Sequence, residues 1–480
     1  MLFNSLAFLI FFPLVTALFF ALPHRLRAWM LLIASCIFYM YFIPEYILIL
    51  GFTIVIDYFA GILIENAVGS RRRTMLALSI IANVGVLAVF KYFNFINGNL
   101  AALAQAIGWN YGIGSLEILL PIGLSFHTFQ AMSYTIEVYR GAQRAERDFG
   151  IYALYVMFYP QLVAGPIERP QNLLPQFHQP KIFSYKDATT GLRLMAWGLF
   201  MKCFVADRLA ILVNQAFTQP ATTHSVVLVL SAVFFSFQIY CDFAGYSLIA
   251  IGSARVMGFR LMENFNAPYF SNGIGEFWRR WHISLSTWFR DYVFIPLGGS
   301  RTALPRRCVN LLIVFGLSGL WHGANWTFIV WGLLHGFAVI FELLVTRSSE
   351  APRSRFLVGI RSLAVFSFVT LAWIFFRAEN FGQAWAVISG MWQNTALPGG
   401  WRATFSLPAF TSDPAGNYLT VSCIGITLVL MADYLKRAKP DLTWLSMHPW
   451  WFRWPLYYLL VFCIVRYGVY GQQQFIYFQF

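Results

Sequence analysis

Charge is scarce in this sequence. Asp, Glu, Lys and Arg make up 11% of the 480 residues, against 59% hydrophobic and 19% aromatic. A soluble domain carries about 25% charged residues, so an ordinary water-soluble fold is excluded. Paired cysteines are also missing. Cys36, Cys203, Cys241, Cys308, Cys423 and Cys463 are scattered, mostly inside apolar runs, with no CxxC among them. They read as small core hydrophobes rather than as a disulfide framework. There is no HExxH, and few carboxylates lie near the embedded histidines, so no metal site is expected. The phosphate-binding glycine loop, the dinucleotide fingerprint and the G-x-S-x-G elbow are absent too, which argues against NTP-driven transport and serine hydrolysis. No small-residue cleavage site follows the first apolar run. It leads into Pro23-His24-Arg25-Leu26-Arg27 and reads as a retained span.

What is present is apolar length. Hydrophobic runs recur at 1–22, 28–43, 46–64, 74–92, 116–138, 149–166, 188–213, 224–252, 308–321, 324–346, 357–376, 418–435 and 454–470. Many approach the ~20 residues that cross a bilayer. They predict an all-α polytopic membrane protein with about 11–13 transmembrane or re-entrant helices. No linker is evident, so 1–480 reads as one membrane-embedded domain, with 253–307 as an interfacial segment between an N-terminal and a C-terminal helix group. The net charge of +14 concentrates in the connections 24–27, 71–73, 140–147, 347–361 and 436–439, while the intervening ends carry almost none. The positive-inside rule then puts those connections in the cytoplasm and the N-terminus outside. Charge here orients the chain, and nucleic acid is not implied.

The stretch 277–292 has a helical period. At about 100° per residue, Phe277, Trp278, Trp281, Leu285, Trp288, Phe289 and Tyr292 share an arc of roughly 120°. Arg279, His282, Ser286 and Arg290 form a stripe opposite, with Ile283 the one apolar residue among them. One continuous helix lying at the membrane interface is the expectation. A plain surface anchor would explain the tryptophans, but not the alignment of His282 with two arginines.

Of eight histidines, His24, His178, His224 and His448 sit beside charges, prolines or segment ends. His127, His282, His322 and His335 are embedded or interfacial. His322 lies between two long apolar stretches, where an imidazole is costly unless it faces protein or a water-filled cavity. It serves either chemistry or a helix-locking bond to a backbone carbonyl. Thirteen residues turn a single helix by about 220°, so His322 and His335 are poor partners on one helix. Acid–base work by one imidazole fits better than metal binding. Asp242 lies deep in an apolar run, and 158–169 carries two prolines, a glycine and a Glu-Arg pair. Such groups at depth need a protein or water lining, hence a cavity or tunnel. The alternative for Asp242 is a structural pair with an arginine. A transporter remains open on these features, although no inverted repeat is visible.

The blocks LPIGLSF at 120–126, PQLVAGPI at 160–167, ENFNAPY at 263–269, EFWRRWHISLS at 276–286, RDY at 290–292, PLGGSR at 296–301, GLWHGA at 319–324 and FIYFQF at 475–480 resemble the membrane-bound O-acyltransferase (MBOAT) superfamily, in particular its bacterial alginate O-acetyltransferase branch. The resemblance runs in order over essentially the whole chain. It implies a ring of tilted helices around a tunnel, from a cytoplasmic acyl-donor funnel to an outer acceptor side, in the bacterial inner membrane. His322 matches the catalytic histidine, as general base or transient acyl carrier. His282 matches a second signature position held by His, Asn or Asp, and it or a backbone N–H would stabilise the oxyanion. The donor would be acetyl-CoA, a substrate rather than a resident cofactor. Arg279, Arg280 and Arg290 are the candidate contacts for its phosphates, with Trp278 beside them, although lipid headgroups compete for such arginines. Trp321, Asp242, His127 and Asn325 are candidate tunnel-lining residues. The acyl group would pass to an extracytoplasmic partner, often of SGNH-hydrolase type, that modifies alginate, cellulose, peptidoglycan or another glycan. Two positions depart from the pattern: His127 stands where Tyr is expected, and Leu248 where Asp is usual. The rival readings are a transporter or flippase for an acyl or glycan intermediate, and a structural partner without chemistry.

Overall fold

A computed structural model describes residues 1–117, 121–345, 354–396, 400–406, 417–438, 448–469 and 475–476. Leu120 and residues 477–480 of the motif blocks, 347–353 of one basic connection and 439 of another lie outside the described residues. Every regular element described is helical, and the chain divides into two compact units. The first comprises Met1–Leu192 with Ala250–Met262, the second Arg193–Ile249 with Glu263–Phe480.

In the first unit, α1 (Leu6–Ala21) and α2 (His24–Met40) form a hairpin. The Ser5 side chain caps α1 by accepting from Phe8 N, as an N-cap serine does. α3 (Tyr46–Asn66) is followed by α4 (Gly69–Leu87) and α5 (Phe93–Ala106), which a π turn at Ala88–Tyr92 joins into one 38-residue rod. α6 (Leu124–Arg140) is set between two left-handed glycines, Gly123 and Gly141, and is buried on nearly every side. It packs on α3 and α4. Gly61 makes the approach possible, because a Cβ there would lie 2.6 Å from the Tyr134 ring. Where these helices meet, Asp57 accepts from Ser79 Oγ at 2.6 Å and from Asn83 Nδ2 at 2.8 and 3.0 Å. Neutral donors thus satisfy a carboxylate at mid-helix.

The run 149–166 is not one helix. It becomes α7 (Phe149–Met157) and the single turn α8 (Tyr159–Leu162), where Pro160 removes a donor. An irregular stretch leads to α9 (Pro170–His178). Glu168 braces that stretch, accepting from Met262 N at 2.5 Å and Asn172 Nδ2 at 2.6 Å. Burial raises its pKa to about 7 against the opposing pull of these bonds and of Arg169.

α10 (Tyr185–Leu199) leads from the first unit into the second. There a π segment at Phe200–Ala206, α11 (Asp207–Thr218) and α12 (Ser225–Val256) follow. Then come short α13 (Ile274–Arg280) and α14 (Ile283–Phe289), the hairpin α15 (Leu304–His322) and α16 (Trp326–Val345), and α17 (Arg355–Arg377), α18 (Phe381–Gln393), α19 (Tyr418–Ala438) and α20 (Trp450–Tyr467). Glycines let α15 and α16 touch through their backbones, since a Cβ on Gly332 would sit 3.1 Å from Gly319 Cα.

Among the described residues six helices are long and apolar enough to cross a membrane: Tyr46–Asn66, Gly69–Ala106, Ser225–Val256, Trp326–Val345, Phe356–Arg377 and Tyr418–Arg437. The chain is an all-α, multi-pass membrane protein. Its remaining apolar runs form helices that are shorter, broken or more polar.

Candidate active site

The expected single helix over 277–292 is broken at its centre. Trp281 is extended and His282 takes the left-handed conformation, φ 44° and ψ 56°. The stripe of His282 with Arg279 and Arg290 therefore never forms. Both arginines are exposed, while His282 is turned inward and completely buried. A left-handed non-glycine residue costs roughly 1–2 kcal/mol and persists only where its surroundings over-determine it. The segment before α13 does so. Asn266 N donates to Arg280 O and Ile283 N donates to Asn264 O, each at 2.9 Å. Asn264 Oδ1 accepts from Ser284 Oγ at 2.8 Å and Ser284 N at 3.3 Å, and its Nδ2 donates to Ser247 Oγ at 3.2 Å. Hydrogen bonds thus clamp the backbone on both sides of His282. Asn264 belongs to the ENFNAPY block, and its role was invisible without the fold.

His322 is the last residue of α15. Gly323 continues in an extended conformation, and Asn325 opens α16 by accepting from Thr327 N at 3.0 Å. The His322 ring is buried, with Nδ1 2.6 Å from Ser318 O. A carbonyl only accepts, so Nδ1 carries the proton and the lone pair resides on Nε2. The His322 and His282 ring centroids are 6.3 Å apart in an edge-on arrangement. Trp321 lies 4.9 Å from His322 and 6.0 Å from His282, and Phe243 stacks edge-on against His282 at 4.6 Å. Trp331 and Phe376 close the other side of His322 at 4.8 and 5.6 Å. His282 lies outside the spanning helices. Burial, helped by the adjacent His322, holds its pKa well below the ordinary imidazole range, so it is neutral at physiological pH. The pair supplies one imidazole with a fixed tautomer and a second, neutral one facing it inside an aromatic wall.

The other predicted residues are dispersed. Trp278 points into the same aromatic cluster, where its indole N–H donates to His335 Nδ1 at 3.3 Å. Arg280 is paired with Glu276 at 2.8 Å and Arg290 with Asp291 at 2.8 Å. Asn325 caps a helix and its Nδ2 donates to Glu379 O at 2.7 Å. Asp242 pairs with Lys202 at 2.7 Å, not with an arginine. That lysine also reaches Asp207 at 2.7 Å, and Ile476 N donates to the second Asp242 oxygen at 2.8 Å. His127 belongs to the first unit, buried on α6. His335 is the residue that sequence reasoning set aside. It sits 5.3 Å from Trp331, which in turn lies against His322. The bend at 323–325 puts His322 and His335 on two helices around one indole.

The family model for membrane-bound O-acyltransferases matches residues 142–384. These include α13, α14, α15, α16 and all three clustered histidines. The chain is 40% identical over 397 residues to a probable alginate O-acetylase of Azotobacter vinelandii, covering 82% of this chain and 78% of that protein. It is 34% identical over 392 residues to a peptidoglycan O-acetyltransferase of Helicobacter pylori, covering 76% and 73%. With a teichoic acid D-alanyltransferase of Bacillus subtilis it shares 29% identity over 281 residues, covering 54% and 69%. The chain belongs to the membrane-bound O-acyltransferase family, in its alginate O-acetylase-like branch.

Proposed function

We propose that this membrane acyltransferase takes an acetyl group from cytoplasmic acetyl-CoA and delivers it across the membrane for O-acetylation of an extracytoplasmic glycan. The carrying observation is His322, whose Nδ1–H is donated to Ser318 O. With the lone pair on Nε2, the ring takes the proton of an acceptor hydroxyl as its oxygen attacks the thioester carbonyl. The new C–O ester bond forms, the C–S bond breaks, and the CoA thiolate leaves with the proton returned from His322. His282 lies across the site as the neutral donor for the developing oxyanion. Arg279 sits exposed on α13 as a phosphate contact for the donor. Arg280 and Arg290 serve that purpose only by releasing Glu276 and Asp291.

The relatives' names support an extracytoplasmic glycan acceptor, and the alginate branch favours an alginate-like polymer. Delivery proceeds through an extracytoplasmic SGNH-type partner, with the N-terminus on that same outer side. The test is reconstitution of the full chain in vesicles with acetyl-labelled acetyl-CoA and a soluble polysaccharide or partner. CoA release coupled to labelled ester is expected. Solute movement without thioester consumption would instead establish a transporter, and intact thioester with no movement would leave a structural partner.

A further inference from the structure

A groove runs along the α1–α2 hairpin on the first unit, with a volume of about 460 Å³. Its walls, from Phe11 to Leu22 on α1 and from Leu26 to Ile37 on α2, are apolar. At 1.5 Å per residue each wall is roughly 16 Å long, about half of a 30 Å hydrocarbon core. The groove therefore matches the length of one leaflet.

At the end where the hairpin turns, three cations gather. Arg27 donates to Lys181 O at 2.5 Å and to Leu22 O at 2.9 Å, with its guanidinium 4.9 Å over the Phe19 ring. The Lys181 ammonium lies 5.2 Å over Phe259. Burial and the charge of Arg260 both press its pKa downward. Carbonyls and a ring hold Arg27, and a ring lies under Lys181, without neutralising either. Among the described residues no ion pair includes Arg27, Lys181 or Arg260. The nearby acids are otherwise engaged, Glu168 by Met262 N and Asn172, and Asp187 by Arg255 at 3.2 Å. Beside the cations, Ile182 is 86% and Tyr185 77% exposed, a profile suited to the headgroup level.

We propose that the groove and the Arg27–Lys181–Arg260 cluster together hold one anionic phospholipid, an acyl chain along α1 and α2 and the phosphate against the cations. A free phosphate would satisfy only the charges, and an apolar partner helix only the groove. One molecule with an acidic head and an alkyl chain satisfies both.

Native mass spectrometry of the full-length protein tests this with phosphatidylglycerol and phosphatidylcholine of matched chains. Preferential retention of phosphatidylglycerol is expected. Lys181→Gln with Arg260→Gln should weaken that preference by at least about tenfold, while Arg27, which holds the backbone, is left intact. Leu18→Trp, which fills the groove, should reduce retention of both lipids. Equal retention of the two lipids by the wild-type protein overturns the proposal, and this arm needs no variant to fold. Undiminished preference in the double variant also overturns it, as does displacement of the lipid by glycerol phosphate, which would make the cluster a free-phosphate site. Recovery of a polypeptide crosslinked from Leu18 in place of lipid would assign the groove to a partner helix.

Discussion

The first unit buries His127 and the second buries His282, His322 and His335, yet their surroundings differ in kind. His127 sits in the first turn of α6, a helix buried on nearly every side, and neither ring nitrogen has a hydrogen-bond partner among the described residues. His322 ends a helix, its tautomer is set by Ser318 O, and a second imidazole faces it. Burial alone does not make a base. What sets His322 apart is a tautomer fixed by Ser318 O and a break in the backbone at Gly323.

The strongest way to break the contrast is to exchange its terms. His322→Ala is expected to lower acyl transfer by about 10²–10⁴-fold in the vesicle assay with melting temperature nearly unchanged, whereas His127→Phe should stay within about twofold. Loss of activity in the second variant with retention in the first would reverse the assignment. Next comes the backbone at 282. His282→Val should destabilise by about 1–3 kcal/mol in a detergent melting series, because a β-branched residue resists the left-handed region. His282→Asn, which accepts the left-handed region and still offers an amide donor, should melt like the parent and keep more turnover than the valine variant, which separates the corner from the ring. Asn264→Ala removes bonds that clamp that corner, at about 0.5–1.5 kcal/mol each. The expected reading is a fall in kcat with KM for acetyl-CoA largely kept. An unchanged kcat would mean that the clamp is dispensable.

The smallest effect concerns the first unit's own brace. Glu168 has a folded pKa raised to about 7 from an ordinary value of 4.5. Its raised value favours the folded state fully below pH 4.5, and that contribution is lost as pH climbs through 7. The parent should lose melting temperature across this window, while Glu168→Gln should show a flatter profile there. Identical slopes would contradict the shift.

The spanning helices were legible because a bilayer sets their length: apolar runs such as 46–64, 224–252 and 324–346 reappear as α3, α12 and α16 with ends shifted by a few residues. The short helices were not. α9 and α18 lack a long apolar run, and α18 is announced only by Asn380, whose side chain accepts from Gln383 N. The aromatic period of 277–292 did fit one helix, but hydrogen bonds from Asn264 and Asn266 overrode it. Local periodicity cannot foresee a partner from another segment. His322 and His335 do not share one helix, since Gly323–Asn325 separates α15 from α16, and each lies against Trp331. At Asp242 the need for a cation was readable in the apolar context, but its identity as Lys202 depended on the π segment that turns this lysine inward.

One consequence of the corner at His282 reaches beyond its own site. Outside glycine, the side chains that enter the left-handed region most readily are Asn, Asp and His. Those are the three that the MBOAT resemblance attaches to this position. The repertoire at 282 is therefore written by the main chain before any chemistry is asked of it. Glycine aside, the turn disfavours other side chains here and favours polar, hydrogen-bonding ones. The corner thereby favours a donor or acceptor opposite His322.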